Sequence, residues 1–230
     1  SSTGDTTLDG ANLIGTLGAF NAASFSLTNA QALTVNGPLT TTGGTGSIGL
    51  TTTSGALSID QDLSGGTIAL DSAANLTLGN NITGSNVTLS SAGSISQTGG
   101  MLTAGTLSGS SVGSATLNQV NLIGSLGNFT AAGFSLTDGT GLTVTGTVDG
   151  GGSAALTTAS GNLTINGNVN GTATTLASAG NIGEGATGVI TAGTLTGSST
   201  GDTTLDGANL IGTLGAFNAA SFSLTNAQAL

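Results

Sequence analysis

The sequence predicts an all-β fold, a parallel β-solenoid, and three observations predict it. A block of 33 residues, 1–33, returns without a change at 198–230 and, with 19 of 33 positions identical, at 110–142. The offsets of 109 and 88 residues sum to a 197-residue period, which marks a stacked repeat. Short pieces such as FSL, LTV, IGL, LSI, IAL, LTL and VTL alternate apolar and small polar residues, the period of a strand with one buried face. Finally, these pieces recur at intervals of about 19–22 residues, with two longer intervals of about 28 residues, and a single coil of that length cannot bury its own apolar side, so neighbouring coils must cover it.

Taken in order, coils start at Phe25, Ser47, Thr67, Asn86, Thr106, Phe134, Ala154, Ala173, Thr194 and Phe222. The first strand of each coil aligns Phe25, Ile48, Ile68, Val87 and Phe134, with Leu27, Leu50, Leu70, Leu89 and Leu136 two places on. A second strand aligns Leu33, Leu57, Leu76, Leu142 and Leu163 beside Val35, Ile59, Leu78, Val144 and Ile165. The third contributes Leu39, Leu63, Ile82, Val148 and Val169. These side chains are expected to point inward, giving three short strands per coil. The two 28-residue intervals are expected to be enlarged coils carrying an extra loop or a wider cross-section. Ten coils at a strand spacing of about 4.8 Å make a rod roughly 45 Å long.

Corners between second and third strands read Asn36-Gly37-Pro38, Asp60-Gln61-Asp62, Gly79-Asn80-Asn81, Thr145-Gly146-Thr147 and Asn166-Gly167-Asn168. Asn and Gly suit tight turns, and Asn hydrogen-bonds nearby backbone. Stacked Asn side chains are expected to form ladders along the rod. Pro38, the sole proline, falls where a missing N–H does least harm.

Composition narrows the function. Charged residues are 4% of the chain, all of them Asp or Glu, for a net charge of −10, and there is no Lys, Arg, His, Cys, Trp or Tyr. With no cation, the chain has nothing to neutralise phosphates or to bind anionic lipid through a polybasic patch. Without Cys it has neither a disulfide framework nor thiol chemistry. No apolar run reaches the roughly 18 residues that suggest a transmembrane helix. Both ends fall inside a repeat and no signal peptide opens the chain, so residues 1–230 are expected to form one continuous solenoid segment of a longer array.

The coils GLTVTGTVDGGGSAALTTASGNLTINGNVNG and the pair SAGSISQTGGMLTAGTLSGSS and SAGNIGEGATGVITAGTLTGSS resemble the repeat region of filamentous-haemagglutinin-type exoproteins, which bacteria secrete by the two-partner route. The resemblance spans the chain and rests on low-complexity repeats. It implies a right-handed parallel β-helix shaft, export from a Gram-negative cell to the surface or medium, and a role in adhesion, surface structure or biofilm.

No catalytic, cofactor-binding or metal-binding residue is expected. Asp60 and Asp62 form a DxD pair, a pattern that calcium sites and glycosidases use. Yet Asp60 aligns with Asn36 and Asn166, and Asp62 with Asn81 and Asn168. Asp71 aligns with Thr28, Thr51 and Ser90; Asp149 with Thr40, Ser64, Thr83 and Asn170; Asp138 with Asn29; Asp5 and Asp9 with Ser114 and Asn118. Each replaces a neutral turn residue, and Glu184 is placed at a Gly-rich corner. Lyases of this shape need a basic side chain and hydrolases a carboxylate cluster. Ser and Thr lack an activating His or Lys, and the calcium-binding nonapeptide GGxGxDxUx is absent, its nearest candidate being Gly4-Asp5. The six Phe form three pairs, Phe20/Phe25, Phe129/Phe134 and Phe217/Phe222, expected to fill the core of the wide coils rather than to stack sugars. Thr-rich rows at 39–44 and 50–55 resemble an ice-binding face but are interrupted by Asp71, Ser90 and Ala177. The expected function is therefore a non-enzymatic rod whose partners are neighbouring copies stacked end to end. The alternative is a side face that binds host or cell-surface glycans.

Overall fold

The computed structural model describes all 230 residues, Ser1–Leu230. It is an all-β parallel solenoid of about 11 turns, with a single 3-10 turn at Thr42–Gly44. The chain divides into two compact units, Ser1–Gly113 and Ser114–Leu230. β-Branched and leucine side chains at every second position make these segments strands, and Gly, Asn and Ser between them turn the corners.

The first unit has three faces. On the first, Phe25, Ile48, Ile68, Val87 and Leu107 stack in register. The second stacks Leu33, Leu57, Leu76 and Ile95, and the third Leu39, Leu63, Ile82 and Leu102. Every one of these residues is 3% exposed or less. Full burial of each is worth about 1.5–3 kcal/mol, and successive coils share the same dry column. In the second unit one face stacks Ala115, Phe134, Ala154, Thr174 and Leu195. Another stacks Leu142, Leu163, Ile182, Thr203 and Phe222. The remaining face stacks Phe129, Val148, Val169 and Ile190.

The second unit corrects the reading of the 28-residue interval between Thr194 and Phe222 as an enlarged coil. Thr194 pairs with Thr213, and Phe222 pairs with Thr203, so each step spans one coil of ordinary length. The strand Thr203–Asn218 runs along all three faces. The coil keeps its size, and the repeat slips by one face instead. Phe134 therefore lies on the Ala154 face, whereas its counterpart in the last copy, Phe222, lies on the Leu163 face. From one to the other is four turns and one face. The cause is physical: all three faces are aliphatic inside and hydroxylic outside, so an FSLT strand fits any of them.

A column of small polar residues closes one corner of each unit. Asn29, Thr52, Ser72, Ser91 and Ser111 stack in register and are buried, as are Asp138, Thr158, Ser178 and Ser199. Their hydroxyls donate to carbonyls of the following turn: Thr52 to Gly55, Ser72 to Asn75, Ser178 to Asn181 and Ser199 to Gly201, at 2.7–3.1 Å. A buried carbonyl left unpaired there would cost about 1–3 kcal/mol.

Candidate functional site

The repeated block is the candidate site because it interrupts the regular ladder. In each copy the register slips: Leu8 pairs with Leu27 but Asn12 with Asn29, and the same slip separates Leu117 from Asn121 and Leu205 from Asn209. The slip adds two residues, and the segment Asp9-Gly10-Ala11 of the first copy, opposite the single residue Thr28, bulges into solvent. The bulge is closed from inside by an asparagine. Asn12 Nδ2 donates to the carbonyls of Leu8, Gly10 and Thr28 at 2.8–3.0 Å. Asn121 donates to Leu117 and Thr137. On the outside Ser26 donates to Asp9 at 3.0 Å and Ser223 to Asp206 at 3.2 Å, while Ser135 donates to Asn118 in the middle copy.

Next to each closing Asn lies a second polar residue, buried in the first two copies and half-buried in the last. Asn29 accepts the Ile14 N–H at 2.8 Å and donates to the carbonyls of Ile14 and Gln31, both at 2.9 Å. Asn226 repeats this with Ile211 and Gln228. In the middle copy the residue is Asp138, fully buried. Its carboxylate accepts the Ile123 N–H at 2.7 Å and the Thr140 N–H and hydroxyl at 3.1 and 3.0 Å. Burial pushes its pKa above the ordinary 3.8, and these hydrogen bonds only partly oppose the shift.

Glu184 is not at a corner. It ends the strand Ile182–Glu184 in register with Ile165, on an inward row. Its Oε2 accepts the Gly207 N–H at 2.7 Å and Asn209 Nδ2–H at 2.9 Å, while Oε1 is buried with no partner. Burial raises its pKa above 4.5, Asn209 and Gly207 oppose the rise, and the Asp206 charge adds to it.

Both shifts set the sign of a pH effect. A carboxyl whose folded pKa is raised favours the folded state fully below its ordinary value, and that contribution is lost as pH rises through the folded value. The second unit should therefore gain stability as pH falls from 7 towards 4. Asp138→Asn should raise stability at pH 7 and flatten that dependence, because Asn29 and Asn226 already show the amide fitting the same pocket. Urea unfolding at pH 7 and pH 4 checks this, and a wild-type chain less stable at pH 4 would contradict it.

The remaining acidic residues stay apart. Asp60 accepts a hydrogen bond from Ser58 at 2.7 Å, and Asp62 accepts the Asn81 N–H at 3.2 Å and side-chain amide at 3.1 Å; both are exposed. Asp71 sits on an outer row between Thr51 and Ser90. No three acidic residues converge to hold a metal ion. At the corner between second and third strands the asparagines bond mainly to backbone, Asn80 donating to the Asp60 carbonyl at 3.3 Å and Asn81 accepting the Met101 N–H at 2.9 Å. A side-chain-to-backbone ladder also runs at the corner before the second strand, where Asn162 accepts the Asn181 N–H and Asn181 the Asp202 N–H, both at 2.9 Å.

The Phe rings pack against each other in pairs. Centroids are 5.1, 4.6 and 4.8 Å apart and the rings tilted by 44–46°, within the range of favourable aromatic pairs. Phe129 and Phe134 are buried. No wide coil makes room for Phe217; Gly197 does. This glycine takes the inward place of Leu176 on the coil below and pairs with Phe217. A Cβ there would lie 2.2 Å from the Leu176 carbonyl oxygen and 2.7 Å from the Phe217 ring. Sequence reasoning missed both Gly197 and the paired asparagines. Their signal was present, in the Gly that replaces Leu within TLSGSS and TLTGSS and in the invariant Asn of the NLIG run.

No family model, curated protein or solved structure matches the chain. No helix is long and apolar enough to cross a membrane.

Proposed function

We propose that the chain is a non-enzymatic structural segment of an extracellular bacterial fibre or adhesin shaft, of the filamentous-haemagglutinin type that its repeats resemble. The observation that carries this reading is the unbroken column of in-register aliphatic side chains beneath parallel ladders in each unit. Such a column resists bending and extension, because moving one coil breaks a row of backbone hydrogen bonds together. The one irregular element, the repeated block, spends its polar groups on its own bulge and corner, and none is left converging on a substrate. A chain without Lys or Arg also offers no trypsin site, which suits an exposed fibre.

Electron microscopy and fibre diffraction of secreted material test the proposal. The expected result is a thin fibre with a meridional spacing of about 4.8 Å and an axial rise of about 43–47 Å for each 197-residue period. Compact particles with no periodicity would overturn it. A second reading, glycan binding through a side face, rests on a shallow, open hollow lined by Asp149, Asn170, Thr172 and Thr191. A glycan array with the Asp149→Ala variant as control decides it.

A further inference from the structure

The inward row through Val144 and Ile165 is aliphatic until it reaches Glu184. In the first unit the same place, next to Leu78, is taken by Gln97, whose amide donates to the Gly100 carbonyl at 3.2 Å. A long polar side chain therefore lies on the coil that the repeated block covers, neutral before the middle copy and acidic before the last. Glu184 ties the bulge of the last copy to that coil, since its Oε2 accepts the Gly207 N–H at 2.7 Å and the Asn209 amide at 2.9 Å. The bulge lies close upon it: a Cβ on Gly207 would stand 2.4 Å from the Gly188 carbonyl oxygen and 2.9 Å from Oε2. The other oxygen, Oε1, is buried with no partner. A negative charge there is poorly solvated, whereas a proton on Oε1 removes the charge and leaves Oε2 as the acceptor.

Only one charge faces this carboxyl. Asp206 precedes Gly207 on the bulge, and its charge opposes ionisation of Glu184. The strands Leu163–Ile165, Val189–Ser199 and Phe222–Asn226 carry no ionisable side chain. Asp202 is exposed and accepts the Ser221 hydroxyl at 2.7 Å, and the chain has no Lys, Arg or His. Nothing therefore offsets the charge when Glu184 ionises.

We infer that Glu184 is a pH-sensitive latch for the bulge at 206–208: protonated, it holds the bulge on the coil, and ionised, it releases the bulge so that water reaches the charge. Opening leaves the aliphatic rows as they are, because Asp206 and Ala208 are exposed already. The direction follows from linkage. Burial first, and the Asp206 charge after it, raise the closed-state pKa above 4.5, and an open bulge returns the carboxyl towards that ordinary value. The hold is complete below the ordinary value and is lost as pH rises through the closed one. The latch owes nothing to the fibre reading, which survives its failure.

Residue-resolved hydrogen exchange of the full chain at pH 4 and pH 7, corrected for intrinsic exchange chemistry, tests it, with a carbon-13 titration of the Glu184 carboxyl alongside. The Gly207 amide should lose protection severalfold between the two, with the midpoint at which the carboxyl titrates, while amides of 163–165 keep theirs. Glu184→Gln should hold Gly207 at its acid level at both pH values, because the amide offers an oxygen to the same two donors and carries no charge. Asp206→Asn should shrink the change by removing the like charge. Equal protection of Gly207 at both pH values would overturn the latch, as would a change that survives Glu184→Gln. Equal loss at 163–165 would mean that the whole unit responds, as titration of Asp138 could make it do, and would overturn the latch as well. The wild-type chain decides the matter by itself if a variant folds poorly.

Discussion

Replacing Phe134 with alanine should lower the stability of the second unit by about 3–5 kcal/mol. The ring is 1% exposed, packs 4.6 Å from Phe129 and sits in register between Ala115 and Ala154. Its neighbours along the column are the smallest side chains that have a Cβ, so they cannot move in to fill the space. The rigid ladders above and below hold the coils apart at strand spacing. Most of the ring volume would remain as a cavity, the costly case for a core truncation. Phe129→Ala should cost a similar amount, and the double variant should cost less than the sum because the two rings share one contact. Phe20→Ala supplies the comparison, since that ring is only half-buried, and its loss should be about 1 kcal/mol or less. Urea unfolding followed by far-ultraviolet circular dichroism measures all four. A Phe134→Ala loss below about 1 kcal/mol would mean that the column collapses around the gap.

Gly197→Leu should destabilise the last coil by several kcal/mol, although it restores the residue that the row carries at Leu136, Leu156 and Leu176. By repeat consensus the change looks favourable. The structure opposes it, because the Cβ alone would meet the Leu176 carbonyl and the Phe217 ring. Overpacking of this kind typically costs about 1–3 kcal/mol, and here a backbone oxygen cannot step aside as a side chain would. Removing the ring with Phe217→Ala should recover part of the loss. Hydrogen exchange locates the effect: amides in 203–226 should lose protection while those in 133–158 keep theirs. Unchanged protection at 203–226 would show that Phe217 does not depend on the glycine.

How much of this could be read in the sequence depended on whether a residue type marks a position uniquely. The inward rows through Leu33, Leu57 and Leu76 and through Leu142 and Leu163 were legible, because an aliphatic residue at alternate places has one reading in a solenoid. The face on which a strand lies was not. Phe222 opens the same FSLT segment as Phe25 and Phe134, and three faces of equal chemistry give no label to separate a slip from an insertion. Glu184 was misplaced because Gly on both sides reads as a corner, whereas its inward place follows only from pairing with Ile165. The paired asparagines escaped notice because Asn usually signals a turn. Here Asn12 and Asn29 are held within the stack and finish a bulge.

The slip of one face between the middle and last copies has a mechanical consequence. Any asymmetry that the block imposes on its shaft, a slight lean towards the bulge or a softer wall beside it, points in a new direction at the next copy. A longer array that kept this phase would return to its starting side after three blocks, with the leans cancelled. Such a filament would run straight without needing each coil to be symmetric, and would bend with equal ease towards every side. Anything displayed on the bulges would reach all around it, whichever way the filament came to rest.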